Sequence, residues 1–255
     1  MNRIIKYVLY DIIRSKIILA YTLFLLVLSV GLFNLGGDPG KAILSLLNLV
    51  LLTVPLISIV FATTHFYNSY EFIELLMAQP VNRKKIFLSE FLGVACSLSG
   101  AFILGVGAPV LLYGASLTGL YLVLTGVFIT FIFVALAFLA SVITRDKAKG
   151  IGIALLLWFY FALLYDGIVL FILYYFSEYP LETATLAMAA LNPIDLGRIL
   201  VLLHLDVSAL LGYTGALYKS ILGSLWGVGL SFGLLLVWVL LPVLGASRIF
   251  TKRDI

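Results

Sequence analysis

The residues of this 255-residue sequence whose types and spacing best suit a chemical role lie in its most charged stretch, Tyr70 to Glu90. Glu71 and Glu74 come first, three positions apart, and would share one face of a helix that Pro80 ends. Anionic lipid would repel both carboxylates, so exposed apolar side chains beside them favour docking of a protein partner. An ordinary connecting loop is the alternative. The apolar residues of this predicted helix, 70–80, are Phe72, Ile73, Leu75, Leu76 and Met77.

Three basic residues, Arg83, Lys84 and Lys85, follow the break at Pro80. At the N-terminus of a helix they oppose the helix dipole by roughly a few tenths of a kcal/mol each. Attraction to anionic headgroups, about 1 kcal/mol per basic residue, outweighs that penalty. We therefore predict that the three side chains lie at the membrane surface and that Asn82 caps the helix they begin.

The sequence offers little that would give this chain catalytic or metal chemistry of its own. No G-x-x-x-x-G-K-[ST] motif is present, so the chain cannot bind ATP by a P-loop. An H-E-x-x-H motif and paired carboxylates within apolar segments are also absent, which disfavours an intramembrane enzyme. His65, His204 and Cys96 are far apart in the sequence, so no metal site is predicted. ATP and any cofactor are therefore expected on another chain.

Long apolar segments supply the elements that must position these residues. A mean hydropathy of +1.19, with 63% hydrophobic and 11% charged residues, is typical of an integral membrane protein. A transmembrane helix needs about 20 mostly apolar residues. Six segments meet this requirement, and we predict a single all-α polytopic domain over residues 1–255. The predicted spans are 17–35, 43–66, 87–113, 118–143, 150–176 and 222–246.

The basic residues are distributed asymmetrically around these six spans. If the spans alternate in direction, thirteen of the sixteen fall on one side, and only Lys41, Arg198 and Lys219 fall on the other. The positive-inside rule then places both termini in the cytoplasm and the protein in the cytoplasmic (inner) membrane. The net charge of +4 therefore needs no nucleic-acid partner to explain it.

The N-terminal residues 1–16 have the pattern of an amphipathic helix. At 100° per residue, the aliphatic side chains fall on one arc, and charged and tyrosine side chains fill the opposite arc. We predict that this helix lies in the cytoplasmic interface ahead of the first span. The alternative is a basic leader that only sets topology. The aliphatic residues are Ile4, Ile5, Val8, Leu9, Ile12 and Ile13.

Two acidic residues fall within predicted spans. Glu90 is near the start of the third span and is expected to reach the interface. Asp166 is deeper, at a cost of about 2.5–3.5 kcal/mol for a helix centre, which the aliphatic neighbours offset. It would mark a helix break near the outer leaflet, make a polar contact within a dimer, or have a local structural role. The spans show no basic partner for it, so a proton-driven transporter is disfavoured.

The segment 177–219 is too polar for a seventh span and too apolar for a solvated loop. Asn192 and Pro193 would separate two short helices, and Asp195 could cap the second. We expect these helices to lie outside the bilayer. Their exposed leucines would then need cover from headgroups, a second protomer or an extracytoplasmic protein. The leucines in question are Leu200, Leu203 and Leu211.

The N-terminal helix, the six spans, the acidic helix leading into LLMAQPVNRKKIFLSEFLG and the long outer segment together resemble the ABC-2 type permeases. In that family an acidic helix followed by a small residue, Pro and a basic pair is the coupling element, which sits in a groove of a separate ATPase subunit. The resemblance implies a non-catalytic permease subunit whose partner binds ATP. It implies an ATPase-coupling role for Glu71, Phe72, Glu74, Leu75 and Pro80.

A second stretch, 191–218, is similar to the outer segment of the permeases that serve nitrous oxide reductase maturation, where an Asn-Pro, an Asp and an Arg recur. That resemblance implies a homodimer, a periplasmic partner protein and a role in assembling the enzyme's copper site. It makes Asn192, Pro193, Asp195 and Arg198 the candidate partner-binding residues. The alternatives are an ABC-2 exporter of a lipid, peptide or drug, an intramembrane enzyme, and a structural membrane anchor.

Overall fold

The computed structural model describes residues 2–179, 182–205 and 225–252, and every regular element in these ranges is a helix. The predicted all-α fold is confirmed. Two π-helical turns, Ile103–Gly107 and Tyr160–Leu164, interrupt long helices. In chain order the α-helices are α1 Asn2–Ile13, α2 Lys16–Gly36, α3 Pro39–Asn68, α4 Tyr70–Met77, α5 Arg83–Phe102, α6 Ala108–Tyr113, α7 Leu117–Ile143, α8 Lys147–Phe159, α9 Tyr165–Tyr175, α10 Glu182–Ala190, α11 Pro193–Leu202 and α12 Leu225–Lys252.

Six helical segments of the described chain are long and apolar enough to cross a membrane, which confirms the predicted number of spans. Helices α5 and α6 form one of them through their π turn, and α8 and α9 form another. The protein is therefore a multi-pass membrane protein. The first predicted residues of the sixth span, 222–224, lie outside the described residues. The six segments are Lys16–Gly36, Pro39–Asn68, Arg83–Tyr113, Leu117–Ile143, Lys147–Tyr175 and Trp226–Lys252.

Local capping explains where several helices begin. Asn82 accepts a hydrogen bond from the Lys84 backbone N–H at 2.9 Å, so it caps α5 as predicted. Asp38 caps α3 in the same way, through Gly40 N at 2.9 Å. Between α2 and α3, Gly37 has a φ of 62°, a left-handed conformation that glycine adopts without steric cost. As a result, only short connections join α2 to α3 and α4 to α5.

Helix α7 lies at the centre of the bundle, where it packs against α3, α5, α11 and α12. Apolar residues occur all round it, as burial on several sides requires. Phe138 makes edge-to-face contacts with Phe66 of α3 and with Phe87 and Phe91 of α5, at centroid distances of 5.3, 5.7 and 5.9 Å. Such pairs contribute about 0.5–1.5 kcal/mol each beyond the area they bury. They join α3, α5 and α7 into one core.

The basic clusters of the sequence lie at one end of the bundle. Lys147 Nζ donates a hydrogen bond to Asn68 Oδ1 at 2.8 Å, which places the loop before α8 beside the end of α3. Phe250, near the end of α12, packs on Phe87 in the second turn of α5, with ring centroids 5.5 Å apart. Helix α1 packs along α5. This arrangement is the one that the charge asymmetry requires, and a cytoplasmic location of this end remains a prediction.

Candidate functional site

Helix α4 is anchored to the bundle by one face. Ile73 is only 1% exposed and enters the hydrophobic core. Phe72 stacks on Tyr7 of α1, with ring centroids 5.3 Å apart and planes inclined by 28°. The helix ends at Met77, a little before Pro80, and so agrees with the predicted amphipathic segment. The aromatic contact of Phe72 with α1 and the burial of Ile73 in the core therefore fix the orientation of α4.

The opposite face of α4 is open. Glu71 and Glu74 are exposed, as the i, i+3 spacing predicts, and Leu75 is 67% exposed between them and the Pro80 turn. A large apolar side chain beside two carboxylates is the composition expected of a protein-docking surface with a basic partner. We call Glu71, Glu74 and Leu75 the docking face. Its function stays a prediction.

The basic residues that follow α4 begin α5. Lys84 and Lys85 are exposed and Arg83 is half-buried. They lie at the same end of the bundle as the docking face, but on the next helix. Their positions agree with the expected membrane-surface location, which also remains a prediction.

Helices α10 and α11 form a hairpin that bends by 112° and enters the bundle. The turn is held at mid-depth of two spans. Trp238 Nε1, halfway along α12, donates to Ala190 O at 3.1 Å. Asn192 Nδ2 donates at 3.0 Å to the main-chain oxygen of Phe161, in the π turn of the fifth span. The hairpin is thus re-entrant in its geometry.

The sequence did not predict this packing among the spans, and the expectation that helices in 177–219 lie outside the bilayer stays a prediction. Leu200 and Leu203 are buried by the chain's own helices rather than by an external partner. Gly197 makes the close approach possible, because a Cβ there would lie 2.6 Å from Thr125 Cγ2 of α7. Sequence alone could not distinguish leucines that face other spans from leucines that face headgroups. Leu211 lies outside the described residues.

The end of α11 returns to the rim of the bundle opposite α4. Thr118 Oγ1, in the first turn of α7, donates to His204 O at 2.6 Å. The His204 ring lies 3.9 Å from that of Tyr121, centroid to centroid. The hairpin therefore enters from one rim, turns among the spans and leaves towards the same rim.

Asn192 is the central polar residue of the turn. Its Oδ1 accepts from Ile194 N at 3.0 Å and caps α11, while its Nδ2 also donates to Asp195 Oδ2 at 3.0 Å. The expected cap, Asp195, is instead in the first turn of α11. Phe161 lies in the π turn of the fifth span, and its main-chain oxygen accepts this hydrogen bond from the hairpin. The amide group thus satisfies two helices at once.

An ion-pair cluster adjoins this turn. Arg198 Nη1 lies 3.1 Å from Asp166 Oδ2 and 3.0 Å from Asp195 Oδ1. Asp166 therefore has a basic partner, which the sequence did not predict because Arg198 belongs to the hairpin and not to a span. The side chains of Asp166 and Arg198 are 35% and 34% exposed. The cluster ties α11 to the fifth span, which fits the local structural reading of Asp166.

Glu90 was expected to reach the interface, but it is 2% exposed. Its Oε2 lies 3.5 Å from His65 Nε2, and its Oε1 has no hydrogen-bond partner. It lines a cavity of about 200 Å³ between α1, α3, α4 and α5. The sequence places Glu90 and His65 25 positions apart, so no local motif could show this contact.

The described residues contain no other arrangement that supports chemistry. No three His, Cys, Asp or Glu side chains within them come together as a possible metal site. The G-x-S-x-G sequence at 229–233 lies inside α12, where Ser231 Oγ donates to Gly227 O at 3.0 Å. A nucleophile elbow requires a strand-to-helix turn instead. The serine is therefore a helix residue without the geometry of a nucleophile.

Comparison with known proteins identifies the family of this chain. Residues 3–255 match the family described as "ABC-2 family transporter protein". A relative from Stutzerimonas stutzeri, described as "Probable ABC transporter permease protein NosY", is 29% identical over 96% of this chain and 95% of its own. A relative with the same description from Pseudomonas aeruginosa is 31% identical over 79% of this chain and 81% of its own.

Proposed function

This chain belongs to the ABC-2 family of transporter proteins and is a permease subunit, and on that premise we propose how it works and what it serves. It acts as a mechanical transmitter: a separate cytoplasmic ATPase binds ATP and pushes on α4, and the spans carry that motion to the α10–α11 hairpin. The complex serves maturation of the copper site of nitrous oxide reductase, as a homodimer with a periplasmic partner.

The open face of α4 is the observation that carries the ATPase-docking proposal. Glu71, Glu74 and Leu75 project from a helix whose other face is anchored by Ile73 and Phe72. An anchored helix transmits a push, whereas a mobile loop would absorb it. Carboxylates at the rim would steer a basic groove, and Leu75 would fill an apolar pocket within it.

A continuous path of packed side chains joins α4 to the hairpin. Helix α1, which stacks on α4, packs so closely on α5 that a Cβ at Gly93 would overlap Val8. Helix α5 packs on α7 through Phe91 and Phe138, and α7 packs on α11 at Gly197. Close-packed helices move as units rather than deform, so a displacement of α4 would also displace the hairpin.

The proposed maturation role rests on the two relatives and on the outer stretch 191–218. In the described part of that stretch, Asn192, Asp195 and Arg198 hold the hairpin to the fifth span, and Pro193 begins α11. Asn192 and Pro193 are buried in the turn, so they would act on a periplasmic partner only by fixing the position of α11, and not by contacting the partner. In this proposal the copper ions are held by partner proteins and not by this chain.

The docking proposal is tested by capture of the ATPase. Glu71→Lys/Glu74→Lys places like charge against a basic groove, at a cost that can reach several kcal/mol, and should abolish co-purification. Arg83→Gln/Lys84→Gln/Lys85→Gln removes three neighbouring positive charges and should leave capture largely intact. Both are compared with the parent at matched membrane abundance. Equal capture by the Glu71→Lys/Glu74→Lys variant and the parent would refute the docking role of α4.

The maturation proposal is tested separately, by function. The chain and its ATPase are expressed in a denitrifying strain that lacks its own permease of this kind. The expected result is restored copper content of nitrous oxide reductase, and the Glu71→Lys/Glu74→Lys variant should not restore it. A parent complex that forms but restores no copper would favour an ABC-2 exporter of another substrate.

A further inference from the structure

Two adjoining cavities at the α4 end of the bundle share walls formed by Asp11, His65 and Asn68. The smaller has a volume of about 200 Å³ and lies between α1, α3, α4 and α5. The larger has a volume of about 510 Å³ and is an apolar groove between the α1–α2 junction and α3. A polar pocket beside an apolar groove, with three lining residues in common, suits the two ends of an amphiphile.

Glu90 is the feature of the smaller cavity that calls for a ligand. The carboxylate is buried, His65 addresses only Oε2, and Oε1 lacks any hydrogen-bond partner. Leaving a buried charged oxygen without a donor is costly, and most buried polar atoms find a partner. A cationic donor in the cavity would satisfy it.

We propose that the smaller cavity, which we call the ammonium pocket, binds the primary ammonium headgroup of a phosphatidylethanolamine-type membrane phospholipid. One acyl chain of this lipid lies in the adjoining apolar groove. An ammonium group carries three N–H donors, which suits Glu90 Oε1 inside the pocket and the exposed Asp11 at its mouth. The stacked rings of Tyr7 and Phe72 also line the pocket and can attract a cation.

The chemistry of the pocket distinguishes this ligand from two others. A choline headgroup has the same charge but no N–H, so it would leave Glu90 Oε1 unsatisfied. A divalent metal is disfavoured because no three carboxylate, imidazole or thiol groups among the described residues converge as a metal site.

The position of the pocket links the lipid to the proposed coupling element. Ser69, which precedes α4, and Phe72 within it both line the ammonium pocket. A headgroup between Glu90 and these residues would brace α4 against α5 from beneath. The proposal nevertheless concerns binding to this chain alone, so it can fail or succeed independently of ATPase docking.

The first test uses the unmodified full-length chain, delipidated and then titrated with four phospholipids that have identical acyl chains. Their headgroups are ethanolamine, N-methylethanolamine, N,N-dimethylethanolamine and choline. Native mass spectrometry measures the bound fraction. Affinity should fall along the series as N–H groups are lost, by about tenfold or more from the first to the last. Equal binding of the ethanolamine and choline lipids would overturn the proposal.

The second test uses three variants of the same chain. Glu90→Gln keeps the side-chain shape but removes the charge, so ethanolamine selectivity should be lost. Asp11→Asn, at the exposed mouth, should weaken binding by about two- to fivefold. Glu178→Gln, an exposed carboxylate outside both cavities, is the matched control and should bind as the parent does. Unchanged selectivity in Glu90→Gln would also overturn the proposal.

Thermal unfolding separates a binding role of Glu90 from a merely structural one. Without lipid, Glu90→Gln should unfold at a temperature close to that of the parent, because Gln keeps the shape of the side chain and can still contact His65. The parent should be stabilised by added ethanolamine lipid, and the variant should not. Stabilisation of the parent by K⁺ or Mg²⁺ in place of the lipid would refute an ammonium site. If Glu90→Gln does not fold, Asp11→Asn and the headgroup series decide.

Discussion

Asn192 Nδ2 donates a hydrogen bond to the main-chain oxygen of Phe161 at 3.0 Å, and so joins the turn of the re-entrant hairpin to a π turn in the fifth span. Phe161 belongs to the π turn Tyr160–Leu164, and the Oδ1 of the same Asn192 caps α11. This pairing explains why a helix interruption in one element lies opposite a helix start in another.

Asn192→Ala should destabilise the protein through both of these contacts. Loss of a helix N-cap costs about 0.5–2 kcal/mol, and loss of the hydrogen bond to Phe161 O adds about 0.5–1.5 kcal/mol. Asn34→Ala is the control, since Asn34 is an exposed residue that donates only to Val30 O within its own helix. Unfolding of the purified chain in nanodiscs should show a clear loss for the first variant and little for the second. Equal losses would show that the Asn192 contacts contribute no more to the free energy of unfolding than the exposed Asn34 contact does.

Arg198→Gln should leave Asp166 and Asp195 as neighbouring carboxylates without their cation. Because the Asp166–Arg198 pair is about one-third exposed, we expect a cost of about 1–3 kcal/mol rather than the larger cost of a fully buried pair. The double variant Asp166→Asn/Arg198→Gln removes one charge of each sign and should recover part of that loss. A double-mutant cycle on unfolding free energies measures the coupling. A coupling near zero would mean that the ion pair is incidental.

Gly197→Ala should force α11 away from α7, because the new Cβ would lie 2.6 Å from Thr125 Cγ2. Overpacking of this kind costs about 1–3 kcal/mol. Thr125→Ser removes the obstructing methyl group, so the double variant should regain stability. Gly100→Ala is the control, since its added Cβ would have no atom within 4 Å apart from its chain neighbours and the backbone of its own helix. If Gly197→Ala unfolds like the parent, the close approach of the two helices is absent.

The orientation of the six spans can be checked with single cysteines in a Cys96→Ser background. Lys149→Cys and Tyr179→Cys place exposed thiols at opposite ends of the fifth span. The positive-inside rule predicts that an impermeant maleimide reaches position 149 only from the cytoplasm and position 179 only from outside. Right-side-out and inverted vesicles give the two arms of the test. Labelling of both from one face would refute the six-span topology.

The sequence predicted the spans, the amphipathic character of α4 and the Asn82 cap, because each depends on neighbouring residues along the chain. It did not predict the re-entrant hairpin, since Leu200 and Leu203 have the same pattern whether they face headgroups or other spans. The Asp166–Arg198 and Glu90–His65 contacts join residues more than twenty positions apart. Such pairs depend on how helices pack, which hydropathy and spacing do not encode.

The hydrogen bond from Trp238 to Ala190 also constrains the order in which the protein can be assembled during synthesis. The hairpin leaves the ribosome before α12, yet α12 supplies the donor that holds its turn and packs against α11. A nascent chain that has not yet reached Trp238 therefore has a hairpin secured by α3, α7 and the fifth span, without the contacts that α12 supplies. Final docking of the hairpin must await insertion of the last span. A chain that stalls before residue 225 would present an unfinished outer end to quality-control proteases.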